Sequence, residues 1–283
     1  MPTIRQATSF DTSEIAEFLD HASLIHRHLD WTPLFDWIDS APFLIYSLDQ
    51  QLKGILVCPP DPPGVAWIKC YACEQAGESI SIFASLLSEA KRLIPATINY
   101  IFAIGLNDWF KQTLQKRNFE RFQDVIVLKY QHKPFYKLGK SQATTRPMEF
   151  FDIKEVAKVD QTSFDSIWTI TADGLKSAFF QSEHASVAEI NGKIVGYELS
   201  TANQYSAHLA RVAVLPEHQQ KNIGVQLVSE MVSSYLNRGI NEITVNTQDT
   251  NQASLNLYKK IGFYPTGDRF PIYRISVSAI TGQ

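Results

Sequence analysis

His208-Leu209-Ala210-Arg211-Val212-Ala213-Val214-Leu215-Pro216-Glu217-His218-Gln219-Gln220-Lys221-Asn222-Ile223-Gly224 runs from an apolar strand through a short polar loop into the start of a helix. The strand covers 207–215. The helix carries Leu227, Val228, Met231, Val232, Tyr235 and Leu236 on one stripe and stops near Gly239. A second strand follows at 242–247, then a second helix with Asn251 near its start and Gly262-Phe263 at its end. A tight strand-to-helix turn aims several backbone N–H groups at one point, where the helix dipole is also positive. A pyrophosphate fits such a place if the backbone can come close, and Gly224 permits that because it has no Cβ.

In the second helix Thr250 is the expected N-cap and Gly262 the expected C′ glycine. Leu257, Tyr258 and Ile261 share one helical face by their spacing. On that pattern alone, Tyr258 is a core aromatic with its hydroxyl at the surface, or a residue with a chemical task.

The order Val214-x-Pro216-Glu217-His218-Gln219-x-x-Asn222-x-Gly224, followed by Asn251-x6-Tyr258-x3-Gly262-Phe263, resembles the GNAT superfamily of N-acetyltransferases. The family pattern Q/R-x-x-G-x-G/A is met by Gln219, Gln220, Lys221, Asn222, Ile223 and Gly224, with Asn222 where the first glycine is expected. Asn tolerates the left-handed conformation better than other non-glycine residues, so the match is weakened but not broken. The resemblance is close over 193–263, extends back to Thr145, and is only topological before that.

That resemblance implies acetyl-CoA as acyl donor and no metal. The cofactor would be held by Val212, Ala213, Val214, Gln219, Gln220, Lys221, Asn222, Ile223, Gly224, Val225, Asn251 and Tyr258. It also implies that the central strands splay apart to admit the pantetheine arm. Backbone groups of Val212 and Val214 would hold the arm and polarise the thioester carbonyl, a large catalytic contribution. Tyr258 would lie near the sulfur and protonate the departing thiolate.

An alkyl amine with a pKa near ~10 is mostly protonated at neutral pH, so a base must take one proton. Some family members place a glutamate eleven residues before the Gln/Arg of the loop; here that place holds His208. An imidazole suits proton removal near neutral pH, though a strand histidine can equally make a structural hydrogen bond. Glu198, read at the end of the preceding strand, is the second candidate base, or else a solvated charge. Protein N-terminal acetyltransferases of the ribosomal type often carry a glutamate five residues before the Asn of the last motif. Asn246 stands there instead, which counts against simply transferring their substrate.

The chain has 283 residues, 45% hydrophobic and 12% aromatic, enough for two packed cores. A net charge of −3 with no long basic run argues against a nucleic-acid partner. No signal pattern and no apolar run long enough to span a bilayer are present, so a cytoplasmic protein without a membrane partner is expected. Cys58, Cys70 and Cys73 make no disulfide framework. Cys70-x-x-Cys73 could be half a metal site, but no second pair completes it. A monomer or homodimer is expected.

A diverged duplication is visible. Arg5, Phe10, Asp11 and Ala16 match Arg146, Phe151, Asp152 and Ala157 at one offset of 141, and Asn107 and Phe119 match Asn251 and Phe263 at 144. In the first copy, 98–105 reads as a buried strand and 65–71 as the fourth strand. Leu114 stands where the second copy has Tyr258, and Ala72 to Glu78 lacks the loop pattern. The expected domains are a degenerate GNAT-like domain over 1–130, a linker over 131–143, and a catalytic GNAT domain over 144–283. The first domain would be structural or shape the substrate cleft. In the second copy, strands at 187–190 and 193–201 flank the hairpin turn Asn191-Gly192, and 270–277 is a closing strand. The fold class is α/β of mixed α+β type: two GNAT-like domains, each a mixed, mostly antiparallel sheet flanked by helices, with splayed central strands.

Three functions fit these readings. The first is an acetyl-CoA-dependent N-acetyltransferase for the primary amine of a small molecule, by direct attack on the thioester. The second is an acetyltransferase of protein N-termini or lysines. The third is a non-catalytic acyl-CoA-binding regulatory module, which would have no need of a thiolate acid at Tyr258.

Overall fold

The computed structural model describes residues 1–131 and 141–280, so most of the expected linker at 131–143 lies outside the described residues. The chain forms two compact units. One comprises Met1–Gln123 with Phe270–Gln283, and the other is Asp124–Arg269.

In the first unit, β1 (Pro2–Gln6), α1 (Thr12–His21), β2 (Leu24–Arg27), β3 (Phe43–Leu48) and β4 (Gln51–Val57) come first. They are followed by β5 (Ala66–Trp67), β6 (Cys70–Cys73), α2 (Ser79–Leu93), β7 (Tyr100–Ile104) and α3 (Asp108–Lys116). The next strand, β8 (Glu120–Tyr130), leaves this unit after Gln123. Five strands lie in the order β1-β3-β4-β6-β2 with antiparallel neighbours. Alternation sends Phe43, Ile45, Ile55 and Ala72 into one core with Ile15 and Leu19 of α1. Leu44, Leu56 and Tyr71 enter another with Phe83, Leu86 and Leu87 of α2 and Phe110 of α3. Cys70 belongs to the first core and Cys73 to the second. The strand pleat therefore points the two thiols to opposite faces, which removes the half metal site. The apolar run read as one strand over 65–71 is broken into β5 and β6, because the chain changes partner: β5 runs parallel to β7, whereas β6 pairs with β4.

The second unit continues with β9 (Thr144–Pro147), α4 (Ile153–Ser163), α5 (Ala172–Gln181), β10 (His184–Ile190) and β11 (Lys193–Ala202). After these come β12 (Ser206–Val214), α6 (Ile223–Asn237), β13 (Glu242–Gln248), α7 (Gln252–Ile261) and β14 (Phe263–Ser276). Strands β9 to β12 are antiparallel neighbours, and β12 runs parallel to β13. The turn between β10 and β11 has φ of 51° at Asn191 and 72° at Gly192, both left-handed, as a two-residue hairpin of this kind requires. Residues from α6, α7, β12 and β13 form one core, with Val228, Met231, Tyr235, Tyr258 and Phe263 within it. The closing strand starts at Phe263, seven residues earlier than 270. Gly262, at φ 114°, ends α7 and turns the chain directly into extended backbone.

The last strands are exchanged between the two copies. Val125 to Lys129 of β8 pairs with β13 inside the second unit, and Ile272 to Ser276 of β14 pairs with β7 inside the first. The units thus interleave along the chain, where the expected boundaries at 130 and 144 ran straight.

The repeat extends to individual bonds. Arg5 makes a bidentate pair with Asp11 at 2.8 and 2.6 Å, and Arg146 makes the same pair with Asp152 at 2.6 and 2.9 Å. Each carboxylate also accepts a backbone N–H at 2.8 Å, from Thr8 and Glu149 respectively. Gly54 of β4 faces Cys73 of β6, as Gly196 of β11 faces Val214 of β12.

Candidate active site

The site begins where β12 and β13 part. They pair from Ser206–Glu242 to Leu209–Val245, yet β12 continues to Val214 and β13 to Gln248. Leu215 donates its N–H to Val195 O at 2.8 Å, toward β11. Backbone groups alternate along a strand, so Val212 and Val214 turn theirs toward the edge that β13 has left. The Val214 carbonyl already accepts Gln219 Nε2 at 3.0 Å and Ser163 Oγ at 3.2 Å. These bonds fix the loop to the end of the strand.

Across the loop, Gln220 and Asn222 both adopt φ of 61°. Asn222 is thus left-handed, as its place in the glycine pattern requires, and it precedes α6 without capping it through its side chain. Its Oδ1 instead accepts Lys260 Nζ of α7 at 2.8 Å, while Lys221 Nζ donates to Glu217 O at 2.7 Å. The first α6 backbone bond is Gln226 N–H to Asn222 O at 2.9 Å. That leaves the N–H groups of Ile223, Gly224 and Val225 without helix-internal acceptors, at the positive end of the helix dipole. A Cβ on Gly224 would stand 3.1 Å from Leu257 Cδ1 and 3.7 Å from Val214 Cγ2, so this glycine lets α6, α7 and β12 meet.

Asn251, rather than Thr250, caps α7: its side chain accepts Ser254 N–H at 3.1 Å. Asn is the stronger cap, and the helix starts one residue later than expected. Tyr258 is only 4% exposed, not a surface hydroxyl. Burial pushes its phenol well above the usual range, with the neighbouring Ser254 acting the other way.

His208 lies opposite Thr201 on β11 and Thr244 on β13. It therefore shares the sheet face of Tyr197, whose hydroxyl reaches Asp160 of α4. Burial lowers its pKa. Glu198 is not at a strand end and not solvated: it is fully buried in the middle of β11. It points to the opposite face, two residues from Ser200, whose hydroxyl meets Tyr235 of α6 at 2.9 Å. One Glu198 oxygen is bonded to His184 Nδ1 and accepts Ser186 Oγ at 3.3 Å. Desolvation raises the Glu198 pKa against the pull of His184, and the bond to Glu198 raises that of His184. The structure thus brings Val212, Val214, Gln219 to Val225 and Tyr258's helix together. It sets His208 on the α4 face and separates Glu198 from it.

One cluster escaped the sequence reading. A bulge leaves Ala210 without a partner on β11 and turns Arg211 onto the same face as His208. There Arg211 donates to Asp160 from Nε at 2.8 Å and Nη2 at 2.7 Å, and its guanidinium lies 3.7 Å over the Phe164 ring. Nη2 also reaches the Trp168 carbonyl at 2.5 Å, and Asp160 accepts Ile170 N–H at 2.9 Å. The available signal was an acid on an apolar helical stripe, since Val156, Ala157 and Asp160 share the buried side of α4.

Among the described residues no group of three or more His, Cys, Asp or Glu side chains is arranged to hold a metal ion, and no helix is long and apolar enough to cross a membrane.

Comparison with known proteins agrees with this geometry. Residues 153–263 match the model of the Acetyltransferase (GNAT) family. A Bacillus subtilis (strain 168) protein, provisionally described as a ribosomal protein bS18-alanine N-acetyltransferase, is 26% identical over 140 residues, 47% of this chain and 89% of that protein. The ribosomal protein bS18-alanine N-acetyltransferase of Escherichia coli (strain K12) is 26% identical over 87 residues, 28% of this chain and 59% of its own length. Among solved structures, a tandem GNAT protein from the clavulanic acid biosynthesis pathway superposes with a TM-score of 0.63 at 12% identity, covering 98% of this chain and 99% of that one. A GCN5-related N-acetyltransferase from Sphaerobacter thermophilus gives 0.61 at 14% identity, over 98% and 96%. The similarity to the GNAT family of acetyltransferases thus spans residues 153–263, within the second unit.

Proposed function

We propose that the second unit transfers the acetyl group of acetyl-CoA to the primary amine of a small molecule, by direct attack of the amine on the thioester. Acetyl-CoA is the general acyl donor of the family. The observation that carries the reading is the free edge of β12 running into the uncapped start of α6. The chain's residues fit that donor. The N–H groups of Ile223, Gly224 and Val225 would bind the pyrophosphate. The peptide groups of Val212 and Val214 would bind the pantetheine arm and stabilise the oxyanion.

The acceptor must arrive neutral. His208 takes the proton through Nε2, because Nδ1 is engaged by Thr244 Oγ1 at 2.8 Å. Tyr258, kept protonated by burial, donates to the leaving thiolate. Glu198, buried against His184 on the other face, has no direct part in this scheme.

A second reading is acetylation of a protein N-terminal alanine, favoured by the similarity to the Bacillus protein. Asn246, where that type often has glutamate, favours the small amine. Free-thiol release from acetyl-CoA, followed with a panel of small primary amines and of peptides with free N-termini, tests both. Turnover with peptides alone would replace the first reading by the second. Tight acetyl-CoA binding with no acceptor of either class would favour a binding module.

A further inference from the structure

In the first unit the place corresponding to the second unit's open edge is already filled. The two copies share register residue for residue. Gly54, Ile55, Leu56 and Val57 face Cys73, Ala72, Tyr71 and Cys70, as Gly196, Tyr197, Glu198 and Leu199 face Val214, Ala213, Val212 and Arg211. Trp67 pairs with Phe102 as His208 pairs with Thr244, and in both copies the parallel pairing then ends within one residue. Glu74 N–H donates to Lys53 O, toward β4, so Cys73 and Tyr71 direct their backbone groups to the other edge. These are the counterparts of Val214 and Val212. Strand β2 occupies that edge, with Leu24 opposite Cys73, Ile25 opposite Ala72, His26 opposite Tyr71 and Arg27 opposite Cys70.

The occupant is built in. His28 N–H donates to Lys69 O at 2.8 Å, and the Lys69 ammonium is paired with Asp30 at 2.5 Å while only 8% exposed. His26 is fully buried and stacks on Phe110 of α3 with ring centroids 3.9 Å apart. Neither of its ring nitrogens has a partner among the described residues. On the same helix Leu114 stands in the place of Tyr258.

We propose that β2 is a permanent internal occupant of the first unit's cofactor slot, so that the chain carries one acyl-CoA site and the first copy is closed by its own backbone. The inference rests on the reading that the open β12 edge of the second unit receives acetyl-CoA. An arm of amide groups laid along a strand edge needs the peptide N–H and C=O groups of that edge, and β2 consumes them at Tyr71 and Cys73. Loss of the loop pattern after β6 is then a consequence of closure, since no ligand reaches it.

A staple tests the closure. Cys70 and Arg27 form a non-hydrogen-bonded antiparallel pair, where Cα atoms approach to about 4.5 Å and a disulfide can form. Arg27→Cys, oxidised and checked by mass spectrometry, should cross-link 27 to 70. Calorimetric titration with acetyl-CoA should then give one site with the same Kd in the oxidised variant, the reduced variant and the wild type. Two sites in the reduced protein and one after oxidation would overturn the proposal, as would failure of the cross-link to form. No binding in any form would instead overturn the reading of the second unit.

Discussion

His208 Nδ1 lies 2.8 Å from Thr244 Oγ1, and that hydroxyl in turn donates to the Ala207 carbonyl at 3.4 Å. With the hydroxyl proton directed at Ala207, the threonine oxygen would accept from the ring, the imidazole proton would sit on Nδ1 and the lone pair on Nε2. That is the tautomer the proposed base requires.

From this follows a pH profile. Burial lowers the His208 pKa below the ordinary histidine value of about 6.5. The basic form increases as pH rises through that lowered pKa, so kcat/KM should climb on the acid side and level off before neutrality. His208→Gln should remove this limb, leaving a rate that follows the ionisation of the amine itself. A wild-type profile in the variant would move proton removal to ordered water.

Tyr258→Phe keeps the ring packed against Phe263 at 5.8 Å and deletes only the hydroxyl. Because the ring's packing is retained, stability should change little. If the phenol protonates the thiolate, kcat should fall by roughly 10²-fold with the Kd for acetyl-CoA nearly unchanged. Stopped-flow measurement of the chemical step separates this from slow product release, and an unchanged step returns Tyr258 to packing.

Gly224→Glu puts a carboxylate among the free N–H groups that begin α6, beside Leu257. Acetyl-CoA affinity should drop by at least about 100-fold, on the order of 3 kcal/mol, by calorimetry. Gly224→Ala meets only the mobile end of the leucine and should lose far less. Equal losses in the two would show that crowding, not charge, decides the position.

Asp160→Ala would leave Arg211 buried beside Phe164 without its counter-charge, a change that typically costs about 3–5 kcal/mol. Asp160→Asn keeps an acceptor for the Ile170 N–H and should lose less. Chemical denaturation of both variants checks the order; Asn as damaging as Ala would mean that the charge alone matters.

What was legible in the sequence was local. The loop from Gln219 to Gly224, the left-handed Asn222 and the helix carrying Tyr258 are set by neighbours a few residues apart, so their types and spacing suffice. The Asn191-Gly192 turn is of the same kind. The burial of Glu198 was not legible, because it depends on His184 and α6 closing over one face of the sheet. Nor was Arg211: alternation alone would send it to the face opposite His208, and only the bulge at Ala210 brings it round. Strand partnership is equally non-local. Nothing in Leu24 to Arg27 says that they pair with β6, and a matched pair of repeats does not reveal which copy's last strand each sheet adopts.

That exchange bears on any attempt to cut the protein at the seam its repeats suggest. A fragment comprising only 144–283 would lack 125–129, the segment that satisfies Thr244 to Gln248 along one side of β13. It would carry a raw edge in the middle of its sheet and a tail, 270–276, deprived of β7. Such a piece invites recruitment of a stray strand from a second molecule, so oligomers or precipitate should replace the monodisperse protein. Beginning the fragment at 124 restores the missing strand, and the minimal catalytic piece is therefore defined by hydrogen-bond partners instead of by the length of the repeat.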